Sequence, residues 1–399
     1  MAVISIEDPG RHGPARKSAL WDLGFRPFFL LAGLAGLALV AVWAAVFAAG
    51  RPLDTYYGYI GWHSHEMVFG YAVAAIAGFL LTATRNWTGR PTARGGVLAG
   101  LALLWLAGRV LPLVPGVPGG VVAAVDLAFL PLLALALAVP VTRAQHWKSL
   151  MFPVLLLVLA GANLAIHLEG LGLAAGLARP ALYGAVDLVV LLIALMGGRV
   201  IPFFTEKALD GVQPRSWGWV ERLALPSIAV LALAEAFYPQ PALVGVLAAL
   251  AALLNGIRFA GWLDRQVWRV PLLWVLHLAY AWLVVGFAMK AAAAFGGLSP
   301  FLALHALTAG GIGGATLGMM ARVALGHTGR TLDLPAGMAV AFALLHLAAA
   351  VRVLAPLLLP GAYPGLVGLS GALWALAFAV FVIDYAPILY RPRVDGRPG

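Results

Sequence analysis

Long apolar stretches alternate with short polar segments along nearly the whole chain. Twelve of the stretches have the roughly 20 residues that a membrane-spanning helix needs. Proline and glycine mark several of the gaps between them, as in residues 114–120 and 360–364. The pattern predicts an all-α polytopic membrane bundle of about twelve helices. Their approximate bounds are 27–49, 62–84, 96–114, 119–140, 150–168, 180–197, 220–238, 241–262, 271–294, 300–323, 335–356 and 363–388.

The two ends of the chain are polar and basic. We therefore expect an N-terminal tail over residues 1–26, one transmembrane domain over 27–388 and a C-terminal tail over 389–399. No cleavable signal peptide is visible, because the first apolar stretch is long enough to span a bilayer.

Composition supports the same class. The chain is 62% hydrophobic and 11% charged, whereas soluble domains are about 45–50% apolar and about 25% charged. The net charge of +10 does not indicate nucleic-acid binding, because the charges fall in the gaps between apolar stretches. Cysteine is absent, which excludes disulfides, iron–sulfur clusters and thiolate copper sites. Any metal must be held by histidine, carboxylate or methionine.

The basic residues also predict the orientation of the protein. If both termini are cytoplasmic, 21 of the 26 lysines and arginines lie on the cytoplasmic side, as the positive-inside rule requires. The five on the opposite side either extend to the lipid headgroups or pair with carboxylates, such as haem propionates. Arg109 and Arg352 are the better candidates for propionate partners. The other three are Arg51, Arg179 and Lys290.

A His-x-His-Glu cluster, formed by His63, His65 and Glu66, opens the second span. Ionisable residues in a span are costly and suggest a functional site. The tenth span repeats the spacing of the second, with His305 in the place of His65. Two glycines and a Thr-Gly-Arg triplet keep the same separation: Gly70, Gly78 and 88–90 in one copy, Gly310, Gly318 and 328–330 in the other. The repeat predicts that spans 2 and 10 are related helices.

A weaker third copy lies in span 6. There 198–200 resembles 321–323, which puts Leu182 or Tyr183 in the place of His305. Spans 2, 6 and 10 would then be equivalent members of three four-helix units.

Two histidines at equal depth on related helices suit a bis-histidine haem b, so His65 and His305 are predicted as its ligands. His63 points to nearly the opposite helix face, and with His346 or His167 it is a candidate ligand for copper or a second haem. The alternative for any single histidine is a buried neutral ring bonded to a carbonyl. Glu66 either orients a ligand imidazole, carries protons or caps the helix.

Several motifs resemble those of the NnrS family. They are 21–29 (WDLGFRPFF), 61–67 (GWHSHEM), 198–205 (GRVIPFFT), 305–308 (HALT) and 320–330 (MARVALGHTGR). The resemblance implies a haem- and copper-containing protein of the bacterial inner membrane, linked to nitric oxide metabolism and nitrosative stress. Its activity would be that of an oxidoreductase on nitric oxide or related nitrogen oxides, or electron transfer.

A more distant likeness is to haem–copper oxidases and nitric oxide reductases. They share twelve spans in three units, with haem-ligand histidines on the second and tenth. Spans 6 and 7 here carry no histidine for the oxidase copper site.

Three functional hypotheses follow. The leading one is nitric oxide binding, redox chemistry or electron transfer at a haem near the outer face. The second is a secondary transporter without a redox cofactor, since it too would have twelve spans and internal repeats. The third is a membrane sensor or scaffold. The expected partners are the lipid bilayer and nitric oxide, while no motif identifies an electron donor and no nucleic acid is expected.

Overall fold

The computed structural model describes residues 18–51 and 53–397, and within them every regular element is helical. Twelve long helices match the twelve predicted stretches one to one, so the predicted fold class is confirmed. They are α1 (Phe25–Ala48), α2 (Tyr59–Thr88), α3 (Gly95–Val110), α4 (Gly119–Arg143), α5 (Met151–Gly170), α6 (Ala178–Ala208), α7 (Gly218–Phe237), α8 (Pro241–Ala260), α9 (Pro271–Ala294), α10 (Pro300–His327), α11 (Met338–Val353) and α12 (Tyr363–Tyr390).

Eleven of these segments are long and apolar enough to cross a membrane. The remaining helix, α7, carries three charged residues, of which Glu221 and Glu235 have partners on neighbouring helices. Glu221 pairs with Arg258 at 2.6 Å, and Glu235 pairs with Lys290. Pairing reduces the cost of placing these charges at membrane depth. The protein is a multi-pass membrane protein.

The helices form a closed ring in which each packs against the next and α12 packs against α1. Inside the ring, α2, α6 and α10 contact one another, and α2 and α10 are the most buried of the apolar spans. This arrangement fits the predicted equivalence of spans 2, 6 and 10.

A π-helical segment interrupts both α2 and α10. The segments are Glu66–Ala72 and Ala306–Ile312, and each begins directly after the repeated histidine, His65 or His305. Such segments are rare and are frequent at functional sites. Their occurrence at one register supports the relationship of these two helices. By contrast, α6 is a regular α-helix throughout.

The first helix begins at Phe25 and is tied to the last. Arg26 is fully buried, and its Nη1 donates to the carbonyls of Leu389 at 2.9 Å and Arg391 at 2.7 Å. The amide of Ala19 donates to Tyr390 O at 2.8 Å. Arg26, the last residue of the predicted N-terminal tail, thus lies in the first turn of α1 with its guanidinium bound to carbonyls at the end of α12. Residues 1–17 of that tail lie outside the described residues.

Candidate metal centre

Three buried side chains from three helices converge near the end of the bundle at which α2 begins. They are His65 on α2, Asp126 on α4 and His167 on α5. The Oδ2 atom of Asp126 lies 3.3 Å from His65 Nε2 and 3.0 Å from His167 Nε2. Each residue offers one ligand atom, and these atoms all lie within 4.8 Å of one another.

The separations suit a small metal ion. Metal bonds to imidazole nitrogen and carboxylate oxygen are about 2.0–2.1 Å long, so two ligands of a tetrahedral ion are about 3.3 Å apart. The distances of 3.3 and 3.0 Å to Asp126 Oδ2 are close to that value. Two imidazoles and one carboxylate form a donor set for copper, zinc, iron or nickel.

The hydrogen bond at His65 Nδ1 leaves the other ring nitrogen, Nε2, facing hydrogen-bond acceptors. Its Nδ1 lies 3.1 Å from Glu66 Oε1, to which it donates when the carboxylate is ionised. In a neutral ring Nε2 then carries a lone pair, and it faces Asn163 Oδ1 at 2.9 Å as well as Asp126 Oδ2. The Asn163 amide is oriented by its Nδ2, which donates to Asp126 Oδ2 at 2.7 Å. Converging lone pairs require a cation between them, either a proton or a metal ion.

Charge leads to the same requirement. Arg109 on α3 pairs with Glu66 Oε1 at 3.1 Å and with Asp126 Oδ1. Two carboxylates and one guanidinium give a net charge of −1 when both histidines are neutral, and buried net charge is costly. Gly70 permits the close approach, because a Cβ there would lie 3.0 Å from Glu66 Oε2 and 3.2 Å from Arg109 Cδ.

Two tyrosines that precede α2 cover this centre. The ring of Tyr57 stacks on His65 with a centroid distance of 4.0 Å, and its hydroxyl lies 3.4 Å from His167 Nε2. The hydroxyl of Tyr56 lies 3.2 Å from His167 Nδ1. Burial raises the pKa of Tyr57 well above its usual value, so its hydroxyl stays protonated. The tyrosines cover the centre at the end of the bundle where α2 begins.

The other repeated histidine lies in a different cluster. His305 is close enough to His63 and Arg352 to interact with them electrostatically. Its Nδ1 donates to Phe301 O at 2.6 Å, which leaves the Nε2 lone pair available. His63 stacks on Trp43 with a centroid distance of 4.2 Å and an interplanar angle of 8°. Among the described residues, His63 Nδ1 and one terminal nitrogen of Arg352 are buried without a hydrogen-bond partner.

The structure thus places His65 with Asp126 and His167, and it places His63 near His305 and Arg352. Among the described residues no hydrogen bond, ion pair or ring contact joins His65 to His305, although they occupy the same register. His65 lies beside residues of α4 and α5, whereas His305 lies near Arg352 of α11 and His63 of α2.

Two further candidates have other surroundings. Arg109, predicted to bind a propionate, pairs with two carboxylates of its own chain. His346 lies beside Gly314 and Trp274, with a ring centroid distance of 6.2 Å to Trp274. Both of its ring nitrogens lack a hydrogen-bond partner within the described part of the chain. It belongs to neither cluster.

Sequence reasoning did not join Asp126, Asn163 and His167 to His65. The available signal was depth, because Asp126 and His167 fall at the outer ends of spans 4 and 5, on the side where span 2 begins. Depth alone does not say which helix faces meet.

A ring of twelve membrane helices with a buried histidine–carboxylate centre defines a polytopic membrane protein that can hold a transition metal. The family model described as NnrS protein matches residues 19–393. The chain therefore belongs to the NnrS family, as its motifs predicted. Membership indicates a membrane protein related to nitric oxide. Compared with curated proteins, the chain shows no significant match.

Proposed function

We propose that this protein handles nitric oxide at a transition metal held by His65, Asp126 and His167. The observation that supports this most is the convergence of His65 Nε2 and His167 Nε2 on Asp126 Oδ2, at 3.3 and 3.0 Å. Copper suits the donor set and is the metal that the family resemblance implies.

When bound, such a metal supplies a coordination position at which nitric oxide can be held. The chain's own residues perform the supporting roles. Glu66 orients the His65 ring through Nδ1, as acceptors of metal-bound histidines generally do. Arg109 compensates the two carboxylates, and Tyr57 keeps water away from the outer side.

We further propose haem b at the cluster of His63, His305 and Arg352. His63 and His305 would be its ligands, and Arg352 would pair with a propionate. This keeps the predicted cofactor and replaces His65 by His63 in the ligand pair. The unpartnered nitrogens of His63 and Arg352, together with the His305 tautomer that frees Nε2, fit an additional polar group at this place.

The test is a reduced-minus-oxidised absorption spectrum of the purified protein, with metal analysis on the same sample. Haem bands and about one equivalent of copper, zinc, iron or nickel beyond the haem iron are expected. His63→Ala and His305→Ala should each abolish or strongly change the haem bands. His146→Ala is the control, because the side chain of this exposed loop histidine bonds Ser149 Oγ, at 2.8 Å, and lies in neither cluster. Unchanged bands in both ligand variants would refute the haem assignment.

The second candidate function is secondary transport. It is favoured by an ion-paired group formed by buried Asp187 and Lys290 with partly exposed Glu235, since intramembrane charges often mark transport paths. A colourless and metal-free protein that keeps its cellular role would support this candidate over the first.

We also propose the bacterial inner membrane as the location, with both termini in the cytoplasm. A reporter fused after Arg391 should then be cytoplasmic, and one inserted near Gly119 should be periplasmic. The reverse pattern would overturn the orientation.

A further inference from the structure

A cavity of about 90 Å³ lies where α2, α6 and α10 meet. Much of its wall comes from matching positions of the three helices in the register that the repeats predict. Ala75, Leu192 and Ala315 form one such set, and Phe79, Met196 and Met319 form another. The rest of the wall comes from α1 and α9, through Phe29, Leu276, Ala279 and Tyr280. The repeated architecture therefore supplies most of the cavity wall.

The lining is almost wholly apolar, and its two hydroxyl-bearing side chains are already engaged. Thr316 Oγ1 donates to Ile312 O at 2.7 Å and is bonded to the hydroxyl of Tyr71. Tyr280 donates its hydroxyl proton to Asn255 Oδ1 at 2.8 Å and accepts from Arg258 at 3.2 Å. A buried water needs about two to four polar partners. The cavity does not offer them, so it stays dry.

Dry apolar cavities in proteins take up apolar molecules such as xenon. At about 90 Å³, the cavity is smaller than the roughly 150 Å³ apolar cavity that takes up benzene or xenon, so it suits guests smaller than benzene. Haem, quinones and charged solutes are excluded by size or by desolvation cost. An uncharged diatomic gas is small enough to enter and has little desolvation cost.

We propose that this cavity, the central chamber, binds an apolar diatomic gas and holds it inside the bundle. The identity of the gas as nitric oxide rests on the proposed function, whereas the binding of an apolar gas does not. Three methionines, Met196, Met319 and Met320, line the chamber, and their polarizable sulfurs favour dispersion contacts with such a guest.

The chamber is connected to the metal-binding half of the protein. Thr316 lines it and bonds Tyr71, which belongs to the π-helical segment that begins at Glu66. One side-chain contact therefore separates the chamber from the segment that carries Glu66, next to His65.

The probe is xenon, measured by ¹²⁹Xe NMR on the full-length purified protein. The wild type should show a saturable bound-xenon signal. Ala315→Leu, which adds three carbons to the wall, should lose it. Ala249→Leu is the matched control, because Ala249 is exposed on α8, and it should keep the wild-type signal. Met319→Ala enlarges the chamber and should strengthen the signal, which tests the site without relying on an overpacked variant.

Absence of saturable xenon in the wild type would overturn the proposal, as would equal signals in the wild type, Ala315→Leu and Met319→Ala. The two proposals fail separately. A protein that binds xenon but no transition metal would retain the chamber and refute the metal-dependent function. A protein that holds the transition metal without binding xenon would refute the chamber and leave the metal-dependent function standing.

Discussion

Two clusters near the end of the bundle at which α2 begins contain the same charges and differ in chemistry. The first cluster contains Glu66, Asp126 and Arg109 together with two histidines. The second cluster contains Asp187, Glu235 and Lys290, and Lys290 Nζ donates to Asp187 Oδ1 at 3.1 Å and to Glu235. With neutral histidines, each has two carboxylates and one permanent cation.

The difference lies in where the cation sits. In the second cluster the ammonium lies between the carboxylates and pairs with both directly, so the group is an ion-pair network. In the first, the guanidinium bonds one oxygen of each carboxylate, and Asp126 Oδ2 remains directed at the imidazoles of His65 and His167. The comparison indicates that the histidines, added to a common charge framework, give the first cluster the donor set of a candidate metal centre that the second cluster lacks.

The largest effect is expected from Asp126→Asn. Loss of a metal-binding carboxylate should reduce affinity by more than the roughly 10–100-fold typical of outer-shell changes, so the purified variant should contain almost no metal at this centre. The matched substitution Asp187→Asn in the second cluster should leave metal content unchanged. Elemental analysis of both variants measures the difference, and equal loss in the two would remove the distinction between the clusters.

Lys290→Met should destabilise the protein without affecting the metal. It leaves Asp187 and Glu235 without their shared cation, and breaking a buried pair typically costs about 3–5 kcal/mol. Denaturant unfolding in detergent measures the change in the free energy of unfolding. Lys148→Met, in an exposed loop, serves as control and should differ little from the wild type. A stable Lys290→Met protein would mean that the second cluster is not held by its ammonium.

Glu66→Gln should weaken metal binding by about 10–100-fold, because Glu66 acts on the metal only through His65. Titration against a competing chelator gives the affinity. Glu235→Gln, the corresponding change in the second cluster, should have no effect on it. An unaltered affinity in Glu66→Gln would argue that His65 is oriented by Asn163 alone.

Tyr57→Phe should have the smallest effect. The ring stack on His65 is kept and only a hydroxyl 3.4 Å from His167 Nε2 is lost, which corresponds to about 1 kcal/mol or roughly fivefold in affinity. Because burial raises the pKa of Tyr57, its hydroxyl is neutral near pH 7 in both the metal-bound and the metal-free protein. The ratio of wild-type to variant affinity should therefore not vary between pH 6 and 8, and a pH-dependent ratio would assign a titrating role to this tyrosine.

The sequence predicted the twelve helices well, because hydropathy reports directly on which segments enter the bilayer. It also predicted the relationship of α2 and α10, and the paired π-helical segments after His65 and His305 agree with it. It did not predict which histidines meet. Contacts between histidines depend on which face of its helix each ring occupies and on which helix packs against that face. Spans that are apolar on all sides have too few polar residues to predict either feature. Arg26 shows the same limit, since its burial depends on carbonyls some 360 residues away.

The closure of the ring between α1 and α12 affects how the protein is made. The packing surface of α1 is synthesised about 300 residues before α12, the helix that covers it. At about 5–20 residues per second, α1 waits roughly 15–60 s in the bilayer before its partner emerges from the ribosome. Arg26 has no access to the carbonyls of Leu389 and Arg391 during that interval. The bundle is therefore completed only after α12 has been synthesised, and a nascent chain interrupted before α12 leaves the first helix facing lipid or a membrane chaperone.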